Sequence, residues 1–227
     1  MREIVIISAW HRTRYLQQCF DALVNARGIE DREVWVIQNL RDDVDTAPAS
    51  EMIKKNREKF RHFHTVTSVW PGWKESHRSV WQEAAMSKAP RAYFFSDDVI
   101  CTPDFFEWHD AVQADGDWLG STAWRHPTGN TKPADPAAYY QIEFPNEISM
   151  GLCVGREGMR RLTAGWPSQE QMISEKWKIV MPYVPRCYHI GGFSSNLDSV
   201  GENTGPAVDV LPNPIPDYGR QKVVLRP

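Results

Sequence analysis

Four cysteines in 227 residues, Cys19, Cys101, Cys153 and Cys187, are too scattered for a disulfide framework, and no two share the CxxC spacing of a zinc or redox site. Their surroundings predict buried free thiols. Charge of one sign is also missing. Lys and Arg number 26 against 29 Asp and Glu, a net charge of -3, so the overall balance predicts no polyanionic partner. Long apolar runs are absent as well. The opening run Ile4–Ile7 is shorter than a signal-peptide core and far shorter than a membrane span, so the expectation is a cytoplasmic protein with no membrane span. What is present is an ordinary globular composition, 41% hydrophobic and 24% charged, which argues against disorder. Ten Trp are an excess. Trp fills cores, and it also stacks on sugar rings and bases.

The first hundred residues alternate strand and helix. Ile4–Ile7 reads as a strand buried on both faces, followed by a helix with Tyr15, Leu16, Cys19, Phe20 and Leu23 on one face, closing near Gly28. Glu33–Gln38 is a second strand and His62–Val69 a third, with a charged helix over Glu51–Phe60 between them. A helix from Lys74 to Lys88 is stopped by Pro90, and Ala92–Phe95 is the fourth strand. Such alternation predicts an α/β fold with a mostly parallel central sheet flanked by helices. Past residue 100 the pattern weakens. It predicts a helix over Asp104–Val112, a strand over Trp118–Trp124, a loop over 125–138, a strand over Gly151–Val154 and helices over Glu157–Ala164 and from Ser168. The last forty residues, rich in Pro and Gly, predict an extended arm.

In open parallel sheets ligands bind beyond the carboxyl ends of the strands. The polar clusters Trp10-His11-Arg12, Asn39 and Asp97-Asp98 all fall at such ends. Two adjacent carboxylates directly after a buried strand need partners, and a divalent cation with oxygen ligands is the natural one. The plainer possibility is a pair of turn aspartates.

The longer stretch from Phe94 to Glu107, with Ser96-Asp97-Asp98, an apolar run and Pro103-Asp104-Phe105-Phe106, resembles the metal-binding segment of GT-A glycosyltransferases. It is most similar to the N-acetylglucosaminyltransferase I family. Ser8-Ala9-Trp10-His11-Arg12 is similar to the family's first nucleotide loop, Val36-Ile37-Gln38-Asn39 to a strand ending in Gln-Asp, and Lys74–Arg78 to a helix start whose His lies on the nucleotide. Ser121–Trp124, Gly151-Leu152 and Gly165-Trp166-Pro167 follow in the family's order, and the resemblance spans residues 4 to 195. Ser96 replaces the first acid of the family's triplet, and Asn39 stands where Asp is expected.

The resemblance implies a GT-A, Rossmann-like fold in one domain over 1–227: a nucleotide-binding half (1–100), an acceptor-side half (101–195) and the arm (196–227). It implies a metal-dependent, inverting transfer of a sugar from a nucleotide-diphosphate donor, a UDP-sugar, to a hydroxyl. Mn²⁺ or Mg²⁺ would lie on Asp98 and on His189, which stands beside Gly191-Gly192 near the end of the chain. Ser8, Trp10, Arg12, Asn39, His77 and Asp97 fall on the nucleotide and donor side. An inverting enzyme needs one base for the acceptor proton. Glu170, three residues beyond Pro167 at a helix start, is the first candidate and Glu147 the second.

Two other readings compete. A nucleotidyltransferase would bring a Gly-rich loop bearing Lys or Arg after the first strand, and Ser8-Ala9-Trp10-His11 is not one. A degenerate nucleotide-sugar-binding module would bind without turnover. The acceptor is open among a glycan, a lipid-linked sugar, a protein and hydroxymethylated bases of viral DNA. For DNA, Arg125, His126, Lys132, Arg156, Arg160 and Arg161 with Trp124 and Trp166 would form a basic rim. The plainer reading of the three helical Arg is a solvated face.

Overall fold

The computed structural model describes residues 1–40, 44–69, 73–124, 135–142, 150–165, 167–191 and 211–225. Four parallel strands form its first half: β1 (Ile4–Ala9), β2 (Glu33–Asn39), β3 (Phe63–Ser68) and β4 (Arg91–Ser96). Helices α1 (Thr13–Val24), α2 (Ala47–Asn56) and α3 (Trp73–Met86) connect them. β1 and β4 bury both faces, as their continuous apolar runs require. Val5, Ile7, Tyr93 and Phe95 enter one core with Leu16, Phe20 and Leu23 of α1. Ile4, Ile6, Ala92 and Phe94 enter the other with Val80, Trp81 and Ala84 of α3. Each Val, Ile, Leu or Phe among them contributes about 1.5–3 kcal/mol by leaving water. The α2 helix starts four residues before the charged segment predicts, because the Asp45 carboxylate accepts the Ala47 N–H at 3.0 Å and Pro48 suits a first turn.

The second half carries more strands than its sequence pattern shows. β5 (Val99–Cys101) leads into α4 (Phe105–Asp115) and β6 (Gly120–Thr122). Then come β7 (Ala138–Gln141), β8 (Leu152–Gly155), α5 (Arg156–Leu162), α6 (Gln169–Ser174), β9 (Ile179–Pro182), β10 (Cys187–His189) and β11 (Val224–Leu225). Among the described residues nine strands make one sheet in the order β11-β7-β9-β6-β8-β4-β1-β2-β3. β8 runs antiparallel to both β4 and β6, so β6 points the same way as β4. Of the loop expected over 125–138, residues 125–134 lie outside the described residues and Ala138 already begins a strand. In the described part of the arm, residues 211–225, Val224 and Leu225 pair with β7. No helix among the described residues is long and apolar enough to cross a membrane.

β5 and β10 stand apart as a two-stranded antiparallel ribbon, with Val99 opposite His189 and Cys101 opposite Cys187. This ribbon positions the site. It follows β4 directly and brings residue 189 back beside residue 98.

Candidate active site

β1 and β4 are neighbours, so the chain leaving β1 and the chain leaving β4 emerge side by side. The Asp97 N–H donates to the Ser8 carbonyl at 3.1 Å, and the Trp10 N–H donates to Asp97 Oδ2 at 3.3 Å. Arg12, just before α1, reaches across both carboxylates. Its Nη1 donates to Asp98 Oδ2 at 2.7 Å and its Nη2 to Asp97 Oδ1. From the other side the ribbon supplies His189, whose Nε2 lies 3.0 Å from Asp98 Oδ2, while the Ile190 N–H donates to the Asp98 carbonyl at 2.9 Å. Gly191 closes the cluster. A Cβ there would overlap the Asp98 carboxylate and stand 3.0 Å from His189 Nε2, so only glycine lets the backbone pass.

Asp97 and Asp98 are 1% and 3% exposed, and the cluster holds two carboxylates against one guanidinium. Burial raises the Asp97 pKa, Arg12 opposes the rise, and the neighbouring Asp98 adds to it. Burial would raise Asp98 too, but the His189 hydrogen bond and the Arg12 charge outweigh it and hold that pKa low, at about 2. A proton arriving at the pair therefore settles on Asp97 first. Burial disfavours the charged form of Arg12, yet the two carboxylates more than offset it and raise its pKa.

This cluster meets the chemical demands of a divalent cation. Asp98 Oδ1 is buried with no hydrogen-bond partner among the described residues, a costly state for a carboxylate oxygen. The net negative charge also wants a further cation. No group of three or more His, Cys, Asp or Glu is gathered for a metal among the described residues. Asp98 and His189 would therefore hold an ion as two protein ligands, with the rest supplied by phosphate and water; an imidazole in the set suits Mn²⁺ better than Mg²⁺, whose usual ligands are all oxygens.

The other residues singled out in the sequence fall as follows. Asn39 ends β2 beside the β1 loop, in register with Ser68, and the adjacent Gln38 is tied to the Thr46 carbonyl and the Ser50 hydroxyl. His77 sits on α3 with its ring edge on Phe94, 4.8 Å between centroids, and burial lowers its pKa to about 4, so at neutral pH it is an uncharged imidazole. Glu170 is exposed in the first turn of α6, where Ser168 caps the helix by accepting the Gln171 N–H at 3.2 Å. Met172 anchors α6 in the core on the α3 and α5 side, and among the described residues Glu170 makes no hydrogen bond or ion pair with the Asp97–Asp98 cluster. Glu147 lies outside the described residues.

The basic rim imagined for DNA does not assemble among the described residues. Trp124 is 2% exposed. Arg156 opens α5 where β8 ends opposite Arg91, at the end of the sheet away from Asp97–Asp98, and Arg160 and Arg161 both pair with Glu157. Arg125, His126, Lys132 and Trp166 lie outside the described residues.

Sequence reasoning missed Arg186. Its Nε donates to Asp104 at 2.7 Å, both side chains being 1% exposed, and its other nitrogens donate to the Val184 and Pro136 carbonyls at 2.6 Å. The ring of Tyr218, from the arm, lies 4.3 Å from the guanidinium. The available signal was a lone Arg in the otherwise uncharged run Met181–Ile190. A cation there needs a buried partner.

No protein-family model matches the chain. No curated protein matches it either. Solved structures do. S. aureus TarS residues 1–349 align over 80% of this chain and 58% of theirs, with 11% identity and a TM-score of 0.55. The same fragment in complex with UDP-GlcNAc gives 12% identity and a TM-score of 0.58 over 80% and 56%. The mannosyltransferase PcManGT from Pyrobaculum calidifontis, in complex with GDP-Man and Mn²⁺, gives 13% identity and 0.54 over 82% and 57%. The chain thus spans a little over half the length of each of these structures. At such identities the likeness shows the architecture alone: this chain has the α/β fold of GT-A-type glycosyltransferases.

Proposed function

We propose that the protein is a metal-dependent, inverting glycosyltransferase that moves a sugar from a nucleoside-diphosphate donor, a UDP-sugar, to a hydroxyl acceptor. The observation that carries this reading is the buried, net-negative Asp97–Asp98 pair at the carboxyl end of β4, where sheets of this kind place their ligands. The similar solved structures add support, since one is a complex with UDP-GlcNAc and another a complex with GDP-Man and Mn²⁺. The resemblance of Phe94–Phe106 to the N-acetylglucosaminyltransferase I family belongs to the same reading.

On this reading Asp98 and His189 hold Mn²⁺ or Mg²⁺, which when bound offsets the charge that builds on the departing diphosphate. Arg12 balances the carboxylate pair and presents a planar fork suited to phosphate oxygens. Ser8, Trp10, Asn39 and the neutral His77 belong to the nucleotide side, and Asp97 to the ribose or sugar hydroxyls. Glu170 takes the proton of the attacking hydroxyl, with Glu147 as the second candidate.

The test is a panel of UDP- and GDP-sugars with Mn²⁺ or Mg²⁺, assayed for released nucleoside diphosphate, with acceptors that include glycans, lipid-linked sugars, proteins and hydroxymethylated DNA. Release from at least one donor, stopped by EDTA, is expected. Saturable donor binding without release under every acceptor would replace the enzyme by a binding module. Full turnover in EDTA would remove the metal.

A further inference from the structure

Arg12 stands where the charge balance of the site is decided. Both oxygens of Asp97 are taken, one by Arg12 and one by the Trp10 N–H. Asp98 Oδ2 serves Arg12 and His189 together, and only Asp98 Oδ1 is left without a partner among the described residues. A guanidinium with 13% side-chain exposure, wedged between these carboxylates, already neutralises half of their charge. A divalent ion on the same carboxylates would add two positive charges beside a cation that never loses its own. In a site with so little water, like charges repel strongly.

Beyond the two carboxylates, little among the described residues holds the guanidinium. Its Nε is buried without a hydrogen-bond partner among the described residues, and beyond the two carboxylates it only approaches the Tyr15 ring, at 5.6 Å. Its stem leaves the chain just before α1, a twelve-residue helix whose first turn has no side-chain cap. A diphosphate offers the guanidinium the same bidentate partner that the carboxylates do. We infer that Arg12 and the divalent cation compete for the Asp97–Asp98 carboxylates, and that a nucleoside diphosphate relieves the competition by drawing the guanidinium onto its own oxygens.

The inference rests on the reading of Asp98 and His189 as metal ligands and adds an order to it: nucleotide-free protein takes the ion poorly, and nucleotide and ion favour each other. Linkage makes the coupling reciprocal, so the factor by which nucleotide tightens the ion is also the factor by which the ion tightens the nucleotide.

The experiment is a titration with Mn²⁺, following the free aquo ion by electron paramagnetic resonance, on the wild type, Arg12→Ala, Arg12→Lys and Asp98→Asn, each without nucleotide and with saturating UDP or GDP. Without nucleotide, Arg12→Ala should bind Mn²⁺ at least about tenfold more tightly than the wild type, within the usual range of site-to-site coupling, with Arg12→Lys between them. UDP or GDP should tighten Mn²⁺ binding by a larger factor in the wild type than in Arg12→Ala. If Arg12→Ala melts early, Arg12→Gln, neutral and close to Arg in shape along its stem, replaces it under the same criterion. Equal or weaker nucleotide-free binding by the neutral variant, with binding still dependent on Asp98, overturns the competition and leaves the metal reading standing. Binding that ignores Asp98→Asn, or no binding to the wild type with either nucleotide, overturns both.

Discussion

The β5–β10 ribbon carries a buried Arg–Asp cluster at each end, and the two differ in charge. At the far end, Arg186 meets the single carboxylate of Asp104 and spends its remaining donors on backbone carbonyls, so the cluster is neutral and lies beneath Tyr218. At the near end, Arg12 meets two carboxylates and one negative charge is left over, shared with His189. A neutral pair is what a protein interior tolerates, even though Asp104 Oδ1, like Asp98 Oδ1, is buried with no hydrogen-bond partner among the described residues. A buried surplus is not, unless something else arrives. Burial alone therefore does not mark the site; the unbalanced charge does.

Glu170 belongs to neither cluster, so it separates proton chemistry from charge balance. Glu170→Gln should lower the transfer rate by ~10²–10⁴-fold while leaving nucleotide affinity and melting temperature near the wild-type values. Normal transfer by Glu170→Gln together with loss in Glu147→Gln would reverse the two assignments.

The clusters themselves should respond in opposite ways. Arg186→Met leaves Asp104 buried and unpaired and should cost about 3–5 kcal/mol in urea denaturation, with Arg186→Met/Asp104→Leu recovering most of it. Asp98→Asn removes the surplus charge and leaves Arg12 with Asp97, so it should change stability by only about 1 kcal/mol. The same variant should lower nucleoside-diphosphate release by ~10²–10³-fold, as expected when one electrostatic group is lost. Equal stability losses at the two ends would break the contrast.

Acid sharpens it further. The pKa of His77 is lowered to about 4 by burial, so the unfolded chain takes up that proton first and stability falls as pH drops from 6.5 toward 4. Asp98 acts lower. Its contribution is present above 3.8 and is lost as pH falls toward about 2. Between pH 7 and 4.5, His77→Gln should therefore lose roughly 2 kcal/mol less than the wild type in urea melts. His109, whose pKa burial lowers well below the ordinary value, contributes equally in both proteins. An unchanged loss would mean that His77 is solvated in the folded protein. Gly191→Ala, overpacked against Asp98, should cost about 1–3 kcal/mol, seen as a drop in melting temperature with weaker Mn²⁺ binding.

Much of the first half is legible in the sequence, because its strands are continuous apolar runs and its helix faces repeat at helical spacing. Ile4–Ile7 and Ala92–Phe95 announce a doubly covered sheet, and Asp97-Asp98 at the end of such a run announces a site. What the sequence hides is who answers the charge. Read along the chain, Asp98 has no counter-charge, yet Arg12 lies 86 residues away in sequence and in direct contact. β7, β9 and β11 have four residues or fewer, too short for a periodicity to show. Arg160 and Arg161 look like free cations until Glu157 is seen one helical turn away.

The ribbon also sets a schedule. Asp98 and His189 are 91 residues apart, and three residue pairs of ladder hold them together. The residues of β1 to β4 and Arg12 all lie within the first hundred of the chain. The ribbon must wait for another ninety, and closing so long a span is among the slower steps of folding. Until that span closes His189 cannot face Asp98, and of the two side chains that meet Asp98 only Arg12 comes from the first hundred residues.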